Sequence, residues 1–139
     1  MRLLLVLLCL TFLTACHNTS SMKSLDEYVM LHDNSSKVWL IDKQFENDKD
    51  FSPIQFKHKE IIVFHESRNA YIHQLSDLGE KPGKKMLFEL NSSNNELILR
   101  NEKLNLVFEI QLLNQNKLIL KTKHRNVPQK LILVPFPEY

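Results

Sequence analysis

Residues 104–120, LNLVFEIQLLNQNKLIL, decide the fold. Leu104, Leu106, Phe108, Ile110 and Leu112 recur at every second position, the period of a strand buried on one face. Asn114-Gln115-Asn116 is then suited to a tight reversal, after which Leu118 and Leu120 resume the alternation. Strands joined by so short a break run antiparallel.

The same pattern extends in both directions. Toward the C-terminus, a loop containing Pro128 leads into a last run, Lys130 to Val134, and Pro135 and Pro137 keep it from extending far. Toward the N-terminus, Leu97 and Leu99 follow the break NSSNN, and Met86, Phe88 and Leu90 alternate before it. Ala70 to Leu75 and Ile61 to His65 are two further runs, joined by a turn at Ser67-Arg68-Asn69. Ile54, Phe56 and His58 alternate as another, and Val38 to Ile41 is the first, with the acidic stretch DKQFENDKD as its exit loop. About nine short strands with no room for crossover helices predict an all-β protein, an up-and-down antiparallel meander. Closing it into a small barrel of eight to nine strands removes both unpaired edges.

One helix is expected ahead of the strands. In SLDEYVMLHD, Ser24 and Glu27 have the spacing of a capping box, and Leu25, Tyr28, Val29 and Leu31 form an apolar stripe. Asn34-Ser35-Ser36 should end it.

The first residues carry an address. Arg2 precedes the apolar run Leu3 to Leu13, too short to cross a hydrocarbon core about 30 Å thick, which takes about 20 helical residues. A positive start, a short apolar core and small residues before a cut make a bacterial export signal. Leu13-Thr14-Ala15-Cys16 resembles the bacterial lipobox at all of its positions, which implies cleavage before Cys16 and lipidation of its sulfur. The expected divisions are a signal peptide at 1–15, a polar tether at 16–23 and a barrel domain at 24–139. Several acyl chains hold such a protein firmly to a membrane without spanning it. His17, where enterobacterial sorting to the inner membrane uses Asp, points to the outer membrane, facing the periplasm.

Composition removes several functions. Cys9 lies within the apolar run and would leave with it, so the mature chain has no thiol besides Cys16 for redox chemistry, thiol catalysis or cysteine-ligated zinc. With 18 basic and 16 acidic side chains there is no field of one sign to attract nucleic acid. Both glycines, Gly79 and Gly83, lie in GEKPGKK, which has the wrong spacing for a phosphate-binding loop and Lys85 where magnesium would need Ser or Thr. That segment is expected to be a solvated basic loop, and no cofactor is expected.

A short helix, then SSKVWLIDK with a tryptophan early in the first strand, then a meander ending in LVFEIQLLNQNKLIL, resembles the lipocalin-like lipoproteins of Bacteroidetes-type bacteria, within the calycin group. The similarity spans roughly residues 24 to 134 and implies the barrel more than a ligand. Lipocalins proper have Gly two residues before the tryptophan; this chain has Lys37 before Trp39.

Trp39, Phe56, Tyr71, Phe88 and Phe108 are spread over different strands and are the candidate ligand-binding residues, because a closed barrel gathers inward side chains around one apolar molecule. A core filled by these aromatics is expected ahead of a pocket, because packed aromatics stabilise a domain that has no disulfides. His58, His65, Glu66 and His73 lie on or beside successive runs in a loose imidazole and carboxylate pattern, for which surface positions on strands are the simpler reading; no metal site is assigned. Asp26-Glu27 and the group Glu46, Asp48 and Asp50 fall at a helix start and in a loop, and no Ser sits in a nucleophile elbow, so no catalytic residue is assigned. The expected function is a membrane-anchored, non-catalytic binding module for an apolar small molecule or lipid fragment. The alternative is an interaction lipoprotein that docks on an envelope or secretion protein, or inhibits a wall-degrading enzyme, through loop 42–52 or 80–85. Cys16→Ser should abolish incorporation of radiolabelled palmitate, whereas Cys9→Ser should leave it intact; label retained by the Cys16 variant would remove the anchor.

Overall fold

A computed structural model describes residues 19–123 and 129–137. The expected signal peptide, 1–15, and Cys16 lie outside the described residues. The chain enters through a helix, α1 (Thr19–His32), that starts upstream of the expected capping box. Residues 19–23, expected as tether, are therefore helical, and Ser24 is inside the helix. Glu27 instead accepts a hydrogen bond from Ser92 Oγ at 2.9 Å, tying α1 to a later hairpin. Asp33 and Asn34 stop the helix: both have left-handed backbones, with φ of 54° and 60°, and the Asp33 amide donates to the Val29 carbonyl.

Nine strands follow: β1 (Ser36–Glu46), β2 (Lys49–Asp50), β3 (Glu60–His65), β4 (Asn69–Gln74), β5 (Lys84–Asn91), β6 (Glu96–Arg100), β7 (Asn105–Leu113), β8 (Leu118–Thr122) and β9 (Gln129–Pro135). Each of β3 to β8 pairs antiparallel with the next, β1 pairs with β3, and β9 returns to β1 over Trp39↔Pro135 to Glu46↔Gln129. Eight strands thus close an up-and-down barrel. The short β2 hangs on β1 as an additional strand.

Three local expectations are corrected. The stretch from Asp42 to Glu46 continues β1 rather than leaving it, and reverses at Asn47-Asp48. Both of those residues have positive φ, 48° and 63°, as a two-residue hairpin turn matching strand twist requires. Second, Ile54, Phe56 and His58 form no strand; Phe56–His58 is a 3-10 turn in a segment on the outside of the barrel. Third, Leu112 leaves the common face of β7 because the register slips between Ile110 and Leu112, so Leu113 takes the inward place. One extra residue reverses the alternation beyond it.

The second bulge, between Ile41 and Lys43, has a parallel effect on β1. It leaves outward-facing Asp42 without a residue opposite it on β9, and Lys59 Nζ donates to its carbonyl at 2.8 Å and to its carboxylate at 2.7 Å. These bonds hold the segment 51–59 against the wall, and Phe56 stacks on Phe136, whose amide bonds to the Val38 carbonyl. Leu40 and Ile61 face outward opposite each other and are nevertheless buried on this side.

Inside, Trp39, Phe64, Met86, Leu97, Leu99, Leu118, Leu120 and Leu133 are almost wholly buried. α1 plugs the end of the barrel where β1 begins. Tyr28 and Leu31 enter the core from it, and the Trp39 indole N–H donates to the Leu31 carbonyl at 2.9 Å. That carbonyl belongs to the last helical turn and has no partner within the helix. Lys37 Nζ lies 4.3 Å from the centre of the Trp39 ring and donates to the carbonyls of Met30 and Gln115, joining helix end, β1 and the β7–β8 turn. The Tyr28 hydroxyl accepts from the Leu90 amide, on the part of β5 that runs past the start of β4, and the Arg68 guanidinium covers the Tyr28 ring at 3.3 Å.

Trp39→Phe keeps an aromatic ring but strands the Leu31 carbonyl, and should lower unfolding stability by about 2 kcal/mol; an unchanged urea midpoint would show that the bond contributes nothing. Burial pushes the Lys37 ammonium below its ordinary pKa of 10.5, with Asp33 opposing the shift. The unfolded chain then binds more protons than the folded one just below 10.5, so stability should rise with pH there. Urea melts at pH 8 and pH 10 should show a component of that slope that is missing from Lys37→Met.

Candidate functional site

Because α1 occupies one end, the interior is filled there, and among the described residues it is open at the other. At the open end a cavity of about 230 Å³ lies within the barrel. Its walls come from inward positions near the ends of seven strands, among them Ile62 on β3, Ile72 on β4, Leu99 on β6, Leu106 and Phe108 on β7 and Leu131 on β9. The polar lining groups are Gln44, Glu60, Thr122 and Gln129. Gln44 faces inward because of the bulge at Asp42, pairing with inward-facing Leu131. Thr122 and Gln129 satisfy one another: the Gln129 amide donates to Thr122 Oγ1 at 2.9 Å, and that hydroxyl donates to the Gln129 carbonyl at 3.3 Å. An apolar lining with a few polar groups suits a small, mainly hydrocarbon molecule. For scale, an apolar cavity of about 150 Å³ admits benzene.

The five aromatic candidates separate into two groups. Trp39, Phe88 and Phe108 lie in the buried core, and of these Phe108 lines the cavity. Trp39 belongs to the plug, and Phe88 packs edge-on against Phe64 at 5.0 Å and beside Tyr28 at 6.1 Å. Phe56 and Tyr71 are outside the barrel: Phe56 is half-exposed on the outer segment, and Tyr71 meets the edge of His65 at 5.3 Å. The filled core and the cavity thus coexist at opposite ends.

The histidines have separate surroundings. His58 Nδ1 is 3.4 Å from Gln74 Nε2, His65 packs on Tyr71, and the His73 ring lies so close to Gly83 that a Cβ there would collide with it. Among the described residues no three His, Cys, Asp or Glu side chains converge as a metal site. Asp50, from the acidic stretch, accepts from the Ser52 hydroxyl and amide, which holds its carboxyl below the usual range. The Ser52 hydroxyl in turn accepts from the Gln44 amide, so these groups brace the hairpin.

The aliphatic walls, Ile62, Ile72, Leu99, Leu106 and Leu131, were not singled out from the sequence. Strand alternation marks them as inward, but identifying them as cavity walls requires knowing which end α1 plugs. No helix among the described residues is long and apolar enough to cross a membrane. No protein-family model matches this chain, and no curated protein matches it.

Proposed function

We propose that this protein is a lipid-anchored lipoprotein of the outer membrane, facing the periplasm, whose barrel is a non-catalytic binding module for a small apolar molecule or lipid fragment. The cavity of about 230 Å³ at the open end, walled by aliphatic side chains and Phe108, carries this reading. The expected signal peptide and Leu13-Thr14-Ala15-Cys16 support the anchor, and the resemblance to lipocalin-like lipoproteins agrees with the barrel. α1, the described element nearest Cys16 in the chain, plugs one end of the barrel, and the cavity lies at the other. Two ion pairs brace the fold: Lys59 with Asp42, and Lys123 with Glu96, each at 2.7 Å.

Docking of an envelope protein is a second reading, favoured by the outer segment, where Phe51 is largely exposed and Ile54 completely so. The two readings separate in one experiment. Hexanol titrated into the full chain, followed by methyl resonances, should shift Ile62, Ile72, Leu106 and Leu131, and Leu106→Trp should weaken binding at least roughly tenfold by filling the space. Silent cavity methyls would refute the binding module.

A further inference from the structure

We propose that a cleft in the barrel wall between β5 and β6, separate from the interior cavity, binds an anionic amphiphile: a phosphate or comparable anion carrying an alkyl chain. The cleft follows from a mismatch in strand length. β5 pairs with β4 as far as Ile72↔Lys84, but with β6 only as far as Leu87↔Arg100. Lys84, Lys85 and Met86 therefore have a strand partner on one side alone. β6 does not continue past Arg100, because Asn101 turns the chain away: its side-chain oxygen accepts from the amides of Lys103 and Leu104, and its own amide donates to the Leu104 carbonyl. The gap is thus set by a braced turn.

The opening measures about 670 Å³, within the roughly 300–1,000 Å³ of small-molecule sites. Its lining combines two chemistries. The half-exposed Leu87 supplies an apolar surface, with Met86, buried in the core, beside it in the lining. Lys84, Lys85, Arg100 and Lys103 supply four cations around it, opposed within the lining by Glu102 alone. Arg100 has a loose and exposed contact with Glu89 at 3.7 Å. Among the described residues no carboxylate pairs with Lys84, Lys85 or Lys103. In a chain whose charges nearly cancel, this excess of unpaired cations at one apolar cleft favours a ligand with negative charge at one end and hydrocarbon at the other. A bare anion would leave the apolar surface unused, and a neutral alkyl compound would leave the cations unused.

The full chain in phosphatidylcholine nanodiscs, with methyl groups of Met86 and Leu87 as reporters, tests this. Hexyl phosphate, inorganic phosphate and hexyl glucoside are titrated separately. Hexyl phosphate should shift both methyls and bind at least roughly tenfold more tightly than either other compound, because each of those keeps only one half of the recognition. Lys85→Glu with Lys103→Glu, both exposed and outside the core, should weaken it at least roughly tenfold, and raising the salt from about 0.05 to 0.5 M should weaken it further. Leu106→Trp should have no effect, which separates this site from the interior cavity. Equal affinity for inorganic phosphate, equal affinity for hexyl glucoside, indifference to the charge reversal, or shifts confined to Ile72 and Leu106 would each overturn the proposal.

Discussion

The hydrogen bond from the Trp39 indole to the Leu31 carbonyl organises this barrel. A helix end carries carbonyls with no intrahelical partner, and such a group can be buried only if something donates to it. Trp39 does so from an inward position near the start of β1, so the helix is seated at that end of the barrel. Lys37 reinforces the same point, contacting the ring of Trp39 and the Met30 and Gln115 carbonyls together. Placing α1 there fills one half of the interior with Tyr28, Leu31, Phe64 and Phe88 and leaves the other half to the strands alone.

Two single-residue irregularities then shape the wall. The bulge at Asp42 turns a carbonyl outward, where the Lys59 ammonium satisfies it, and brings Gln44 to the inner row. The slip beyond Ile110 exposes Leu112 and turns Leu113 toward the core. Neither changes the order of strands, but each redirects every side chain beyond it. The outer segment 51–59 and the polar side of the cavity both depend on the first of them.

Charge is distributed by the same geometry. A near balance over the whole chain separates in space into a cavity whose one charged lining group among the described residues is Glu60 and a cleft where cations outnumber anions. The cleft exists because β6 is shorter than β5 requires, with Asn101 setting its end. The two openings thus differ in chemistry although both are bounded by the same continuous sheet.

The strand order was legible in the sequence, because alternation of Leu, Ile and Phe with polar residues over short runs has no other solution than half-buried strands, and the breaks at Ser67-Arg68-Asn69 and Asn114-Gln115-Asn116 are too short for anything but hairpins. The helix stripe of Tyr28 and Leu31 was legible for the same reason. The length of α1, the irregular path of Ile54 to His58 and the exposure of Leu112 were not, because they depend on what each segment meets across space rather than on its own period. The aromatics show the limit most directly. Trp39, Phe56, Tyr71, Phe88 and Phe108 are all aromatic candidates in the sequence, but strand parity turns Tyr71 outward, a strand that never forms leaves Phe56 on the surface, and the plug claims Trp39 and Phe88. The sequence by itself determined which residues seek burial, since that is a property of each side chain against water. Only the tertiary structure decided which of them border empty space, since a cavity is defined by what fails to meet in the middle.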